Sequence, residues 1–252
     1  MRFLLYIFAF FCSLLVFTNK SIAQDEVLSE LEIPTWTYDE DYTGQEDWGA
    51  HEGYEICRNG FSQSPVNVGY TKSTNLPALI SRYKPAMYRL VSDHQSLIAK
   101  VNDGGKLVID KKSYPIQRIE IHSPSEHRIK DFFFPAEIHI FHKNLNGVVL
   151  GIAIFANVGD QQNSALQEIL KNNDNKKIRF KMNASDLLPK QLGYYSYKGS
   201  LPYPPCTENI EWRILKTPIS ISQEQLGKIG KIIGRNSRLP QPLYVREVLE
   251  SN

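Results

Sequence analysis

The sequence predicts one large, sheet-centred domain, mainly β with a couple of peripheral helices. Three observations carry this. Short β-like runs recur between turn signals along most of the chain. Helix punctuation marks only two segments. From Trp36 onward no glycine–serine linker, low-complexity tract or repeat divides the chain. With 42% hydrophobic and 22% charged residues over 252 positions, the composition is that of a globular protein able to build a core of this size.

The chain opens with Arg2 ahead of an apolar run, 3–17, that ends after 15 residues. A membrane span needs about 20. Ser21-Ile22-Ala23 then supplies a small-x-small cleavage pattern. Residues 1–23 are therefore expected to be a secretory signal peptide, the alternative being an uncleaved anchor. The acidic, unpatterned stretch 24–35 reads as a flexible lead-in, and 36–252 as the folded domain. No segment after the leader is apolar enough to span a bilayer. Cleavage removes Arg2 and Lys20 from the 29 basic residues and none of the 27 acidic ones, leaving a mature chain near neutrality. With no long basic run, nucleic acid is not an expected partner. The expected compartment is extracellular or periplasmic.

Cysteine usage agrees with export. Cys12 leaves with the leader, and Cys57 and Cys206 remain as an even pair in an oxidising compartment. A disulfide between them is predicted, against the alternative of two buried free thiols. Closing a loop of about 150 residues contributes roughly 5 kcal/mol in the chain-entropy account. Asn183-Ala184-Ser185 is the one glycosylation sequon of the mature chain.

Strands are expected over 96–101, 106–109, 116–123, 136–142, 148–155 and 177–182. Asn102-Asp103-Gly104-Gly105 reads as a hairpin turn joining the first two. Ser164 and Gln167 have capping-box spacing at the start of a short helix whose apolar face is Leu166, Ile169 and Leu170. Ser222 and Gln225 repeat the pattern before Leu226, Ile229 and Ile233.

Residues two apart in a strand point to one side. Arg118, Glu120 and His122 thus share a face, as do Glu137, His139 and Phe141 on the next strand. If the strands are neighbours, Glu120, His122 and His139 converge. Two imidazoles and a carboxylate form a legitimate zinc set with a fourth position left for water. Spacing alone also allows packed or exposed histidines.

A longer series of ordered blocks makes the pattern specific. Early in the chain stand Trp36-x-Tyr38, Trp48, Cys57-x-x-Gly60 and Gln63-Ser64-Pro65-Val66-Asn67. The middle holds Ser123-Pro124-Ser125-Glu126-His127 and Glu137-Ile138-His139. Later come Tyr194 to Leu201, Pro204-Pro205-Cys206, Trp212, Pro218 to Ser222 and Gln241-Pro242-Leu243. From about Trp36 to Arg246 the chain resembles the alpha-class carbonic anhydrases. The resemblance implies a large, twisted, mostly antiparallel sheet of about ten strands. It also implies a zinc ion at the base of a conical cleft, held by three histidines and serving hydration of carbon dioxide to bicarbonate. The second and third zinc histidines fall on His122 and His139, and the first falls on Glu120. The proton-shuttle histidine falls on His94, which could equally be a surface loop histidine. The carboxylate that orients a metal histidine falls on Glu137, and the buried glutamate on Glu126, which with His127 is expected to form a buried structural pair. The substrate pocket maps to Phe141, Val149, Leu201, Pro202, Tyr203 and Trp212.

Three departures bear on activity. Glu120 lowers the charge of a zinc site from +2 to +1, so bound water is acidified less; Arg118, where the family has glutamine, could pair with Glu120 and compete with metal. Pro202 replaces a threonine whose hydroxyl orients the attacking oxygen, and proline has neither hydroxyl nor N–H. Glu126 then loses its partner and must find another or take a proton. Phe141 replaces valine in the carbon dioxide pocket, and Tyr203 adds bulk beside it. Two function classes follow. In one, the chain is a carbonic-anhydrase-fold binding or scaffold module with weak or absent hydration, and its partner is another protein. In the other, it is a working zinc hydratase with a Glu-His-His site acting on carbon dioxide and bicarbonate. A minor variant keeps the metal for ester hydrolysis or storage.

Overall fold

The strand Lys112–His122 organises the sheet that carries the site. In the computed structural model, which describes residues 36–39, 43–92, 95–174 and 178–252, it pairs antiparallel with Ala136–Lys143. That strand pairs antiparallel with Val149–Val158, which runs parallel to Glu208–Leu215. Ten strands follow one another in a continuous order and three more attach to it, making a 13-stranded sheet. Among the described residues its pairings are antiparallel except between Val149–Val158 and Glu208–Leu215, Val149–Val158 and Ile219–Ile221, and Lys72–Thr74 and Leu249–Ser251. The expected sheet is therefore present, somewhat larger and mixed at three joins. Three α-helices, Ile56–Asn59, Ser164–Asp174 and Gln223–Ile233, accompany it. The expected leader 1–23, the expected lead-in 24–35 and His94 lie outside the described residues.

The sheet separates two apolar clusters. Ile119, Ile121, Ile138, Ile140, Ile152 and Ile154 face the side where the helices lay down Leu166, Ile169, Leu170, Ile229 and Ile233. Phe141, Ala153, Phe155, Trp212 and Ile214 face the other side. Central strands buried on both faces explain the unbroken apolar run at 149–156 and the burial of every residue from Ala136 to His142, the polar ones included.

A one-residue bulge interrupts the long strand just before the site. The register between Lys112–His122 and Ala136–Lys143 shifts between Ile116 and Arg118, leaving Gln117 as an extra residue. Before this bulge Tyr114 and Ile116 pack into the helix-side cluster; after it Ile119 and Ile121 do. The parity of the strand has flipped, and Arg118, Glu120 and His122 stand on the opposite face.

The hairpin expected at 102–105 is absent. Leu97–Lys100 pairs with Arg118–Glu120, whereas Gly105–Ile109 pairs with Lys112–Pro115 on the same edge of the long strand. The glycines there serve close packing. Gly105 has φ +90°, and a Cβ on it would lie 2.3 Å from the carbonyl oxygen of Arg82. The tight turn is Asp110-Lys111, both with positive φ, which joins Ile109 to Lys112. The two positive φ values are those of a type I′ turn, but neither residue is Asn or Gly, so its signal in the sequence was weak.

Both expected helices form. Ser222 and Gln225 make the reciprocal capping box. In the other helix the cap is Asn163 rather than Ser164: its Oδ1 accepts from Leu166 N at 2.9 Å. Gln225 links the two helix starts, donating to Asn163 O at 2.8 Å and accepting from Asn163 N at 3.0 Å. The Cys57–Cys206 disulfide is formed, with Cα atoms 5.1 Å apart.

Candidate metal centre and cleft

Cross-strand pairing brings the site together. Glu120 stands opposite His139 and His122 opposite Glu137. One ligand atom from each of Glu120, His122 and His139 lies within 4.8 Å of the others, and all three residues are buried.

The two rings are fixed by what their other nitrogens touch. His122 Nδ1 donates to Asn236 O at 2.9 Å, and His139 Nε2 donates to Glu137 Oε1 at 2.8 Å. Both partners are acceptors, so the protons sit on those nitrogens and lone pairs remain on His122 Nε2 and His139 Nδ1. Burial, with His139 adding to it, pulls His122 down to about 4, so the ring is neutral at physiological pH. Four buried atoms in this small region lack any hydrogen-bond partner: Glu120 Oε2, His122 Nε2, His139 Nδ1 and Glu126 Oε2. Buried acceptors without partners are costly. A divalent cation would satisfy the first three together, and an N₂O donor set suits zinc.

Glu137 anchors the surroundings. Its Oε1 accepts from His127 Nδ1 at 2.6 Å as well as from His139, and its Oε2 accepts from the backbone N–H groups of Glu126 and His127 at 2.8 Å. Burial alone would raise this carboxyl, but His127 and His139 outweigh it and hold it well below the usual range. His127 Nε2 then accepts from Tyr197 OH at 2.6 Å, and Tyr197 meets Ser64 Oγ at 2.8 Å. The carboxylate partner of His127 is thus Glu137, not Glu126 as expected, because the N–H groups of residues 126 and 127 both turn to Glu137. Glu126 Oε1 instead accepts from Arg238 N at 2.9 Å. Burial pushes the Glu126 carboxyl well above its ordinary value, against the pull of that amide.

Arg118 folds onto the site. Its Nε donates to Glu120 Oε1, and its Nη2 lies 2.8 Å from Tyr203 OH, which itself donates to Glu120 Oε1 at 2.7 Å. The guanidinium lies 4.2 Å from the centroid of Phe141. Burial would lower Arg118, but Glu120 and Tyr203 more than offset it and keep the cation fixed. Tyr203 in turn lies parallel to Trp36, with ring centroids 6.0 Å apart.

A cavity of about 360 Å³ opens over Glu120 and His122, walled by Trp36, Tyr38, Arg118 and Tyr203. Of the residues expected around substrate, Tyr203 lines it. Phe141 and Trp212 are fully buried in the apolar cluster behind the metal centre, with Val149 and Leu201 packed against them. Pro202 is buried in the loop that the disulfide holds at Cys206. Asn183 caps a short 3₁₀ turn, its side chain accepting from Ser185 N. His142 points away from the site, bonded to Tyr83 OH at 2.6 Å.

Two functional residues escaped sequence reasoning. Asn236 fixes the His122 end: besides receiving the ring proton, it accepts from Ser123 N and donates to Gln95 O and Ile121 O. Arg238 is buried, donates to Gln63, Ser64 and Cys57, and supplies the amide that holds Glu126. Both sit in a polar run after a helix end, which reads as surface loop; no periodicity marks them.

Comparison with known proteins places the geometry in context. The family model described as eukaryotic-type carbonic anhydrase matches residues 43–252. A carbonic anhydrase of Neisseria gonorrhoeae is 36% identical over 218 residues, 83% of this chain and 86% of that protein. The solved alpha-carbonic anhydrase of Photobacterium profundum superposes with a TM-score of 0.78 at 28% identity, covering 86% of this chain and all of that one. A crystal structure of dioscorin complexed with ascorbate gives a TM-score of 0.80 at 25% identity, covering 86% of this chain and 97% of that one.

Proposed function

The chain belongs to the carbonic anhydrase family, and from that premise we propose that it is a secreted binding or scaffold module in which carbon dioxide hydration is weak or absent. The observation that carries this reading is the clamp on Glu120. Arg118 and Tyr203 occupy one of its oxygens and fill the floor of the cleft with a cation and a phenol ring. A fixed cation beside the donor set opposes a second cation and weakens the hold on metal. Pro202 supplies no hydroxyl to orient an attacking oxygen and no N–H to hold an anion. Glu126, raised by burial, has no hydroxyl partner to receive its hydrogen bond.

One observation favours a second reading, a zinc hydratase with a Glu-His-His site. Glu120 Oε2, His122 Nε2 and His139 Nδ1 are all unpartnered and close together. These three residues would hold the ion, which when bound supplies Lewis acidity for activating water. Asn236 and Glu137 would keep the two rings in the ligating tautomers.

The experiment is the carbon dioxide hydration rate of mature protein, 24–252, at saturating zinc. A rate at the buffer blank is expected. A rate clearly above blank and suppressed by chelator overturns the scaffold reading in favour of the hydratase.

A further inference from the structure

Four cations stand in one row across the sheet. Arg179 is the cross-strand partner of Arg89, Arg89 of Lys100, and Lys100 of Arg118. Directly opposed residues on neighbouring strands share a face and lie about 5 Å apart. Arg118 is satisfied by Glu120 and Tyr203. Arg89, Lys100 and Arg179 are exposed, and among the described residues none of them has an ion-pair or side-chain hydrogen-bond partner. Like charges placed opposite one another destabilise a sheet, so Arg89, Lys100 and Arg179 cost folding stability without a compensating partner.

The row lies in a concavity of about 680 Å³ shared with Asn102 and Gln117. The one carboxylate lining it, Asp103, is taken by Lys84 at 2.6 Å. Lys100 and Arg118 also line the smaller cavity over Glu120, where Trp36 and Tyr203 present aromatic rings. The cationic row therefore ends at aromatic walls.

We propose that this row binds an extended polyanionic polysaccharide. Cations repeating at about the strand spacing match a chain that carries charge at regular short intervals. Guanidinium groups suit sulfate and carboxylate because they bind two oxygens at once. Aromatic rings at the inner end offer flat apolar faces to sugar rings. A polyphosphate would use the cations but not the rings. The proposal does not depend on whether hydration survives.

The test is anisotropy of a fluorescein-labelled heparin hexasaccharide titrated with mature protein, 24–252, at low and moderate salt. Saturable binding that weakens as salt rises is expected. The double variant Arg89→Ser, Arg179→Ser should weaken it at least about tenfold. The double variant Lys190→Ser, Lys198→Ser, which removes equal charge from exposed positions on and just before Tyr194–Ser200, four strands from Lys112–His122 in the sheet order, should change it less than about twofold. Equal loss in both variants, or no saturable binding, overturns the proposal. Inorganic sulfate at matched sulfate concentration should fail to displace the probe, and full displacement would overturn an extended ligand in favour of a single-anion site. A second measurement separates binding from fold maintenance. Arg89→Glu should raise the melting temperature by about 2 °C while abolishing probe binding. A lowered melting temperature would show that the row serves the fold and would also overturn the proposal.

Discussion

Tyr203 donates its hydroxyl proton to Glu120 Oε1 at 2.7 Å, the same oxygen that Arg118 Nε holds, and Glu120 Oε2 is left without a partner. One carboxylate is thus split between an internal clamp and the candidate metal position. Relieving the clamp should move it toward metal. Arg118→Gln is predicted to lower the stability of the metal-free protein by about 2–4 kcal/mol, at the lower part of the range for a broken buried pair because Arg118 keeps some exposure. The same change should tighten zinc binding at least about tenfold by removing a neighbouring cation. Thermal unfolding with and without zinc measures both. A zinc-induced shift no larger in the variant than in the parent refutes the competition.

Restoring the family residues tests the three departures together. Glu120→His with Pro202→Thr and Phe141→Val is predicted to raise carbon dioxide hydration clearly above the parent, while Glu120→His alone stays near it. The parts act as a unit, so single changes give little. Phe141→Val also removes the ring beneath Arg118 and should lower the melting temperature. If the triple variant is silent at saturating zinc, some other part of the cleft is responsible.

Asn236→Ala probes the His122 tautomer. The side chain closes three hydrogen bonds that set the carbonyl receiving the His122 proton. Its loss is expected to cost about 1–3 kcal/mol for buried groups left unpaired and to weaken zinc binding about tenfold or more. Chelator-competition titration reads the second effect. An unchanged zinc affinity in a folded variant would show that the strand alone positions the ring.

Acid sensitivity should arise partly from His142, far from the cleft. Burial, outweighing hydrogen bonds to the Leu150 and Ile140 carbonyls, lowers this ring from 6.5 to about 4. The unfolded chain therefore takes up the proton first as pH falls. The stabilisation is complete above the unfolded value of 6.5 and is lost as pH falls toward about 4. That loss amounts to roughly 3 kcal/mol. Denaturant unfolding across this window should show His142→Gln less stable at neutral pH but with a flatter slope, by about one proton. An unaltered slope would mean that His142 titrates normally.

Much of this was legible in the sequence because local rules and global fold agreed there. The even strand spacing of Glu120, His122 and His139 implied convergence, and the capping box at Ser222 was readable from four residues. Strand alternation also puts His142 out of register with His139, and its ring bonds Tyr83 away from the site. What the sequence hid were relationships made by distant chain segments. Asn236 and Arg238 reach the site across more than a hundred residues, and nothing local distinguishes them from surface loop. The hairpin at 102–105 is absent because the flanking strands pair in tandem with successive parts of Lys112–His122 instead of with each other. The cationic row was invisible because its members stand at 179, 89, 100 and 118, so no basic run exists.

The extra residue at Gln117 has a consequence for how this site tolerates change in length. Removing that single residue would restore the regular alternation from Tyr114 onward. Tyr114, Ile116, Ile119 and Ile121 would all still face the helix-side interior, and Arg118, Glu120 and His122 would still face the cleft. Almost any side chain could stand at 117 without disturbing this, since the position is exposed. The facing of the cleft residues therefore depends on neither the presence nor the identity of the residue at 117, because the bulge absorbs it without changing the alternation on either side. Single-residue insertions and deletions between Arg118 and His122, which would turn site residues away from the cleft, should be excluded far more strictly than loss of the residue at 117.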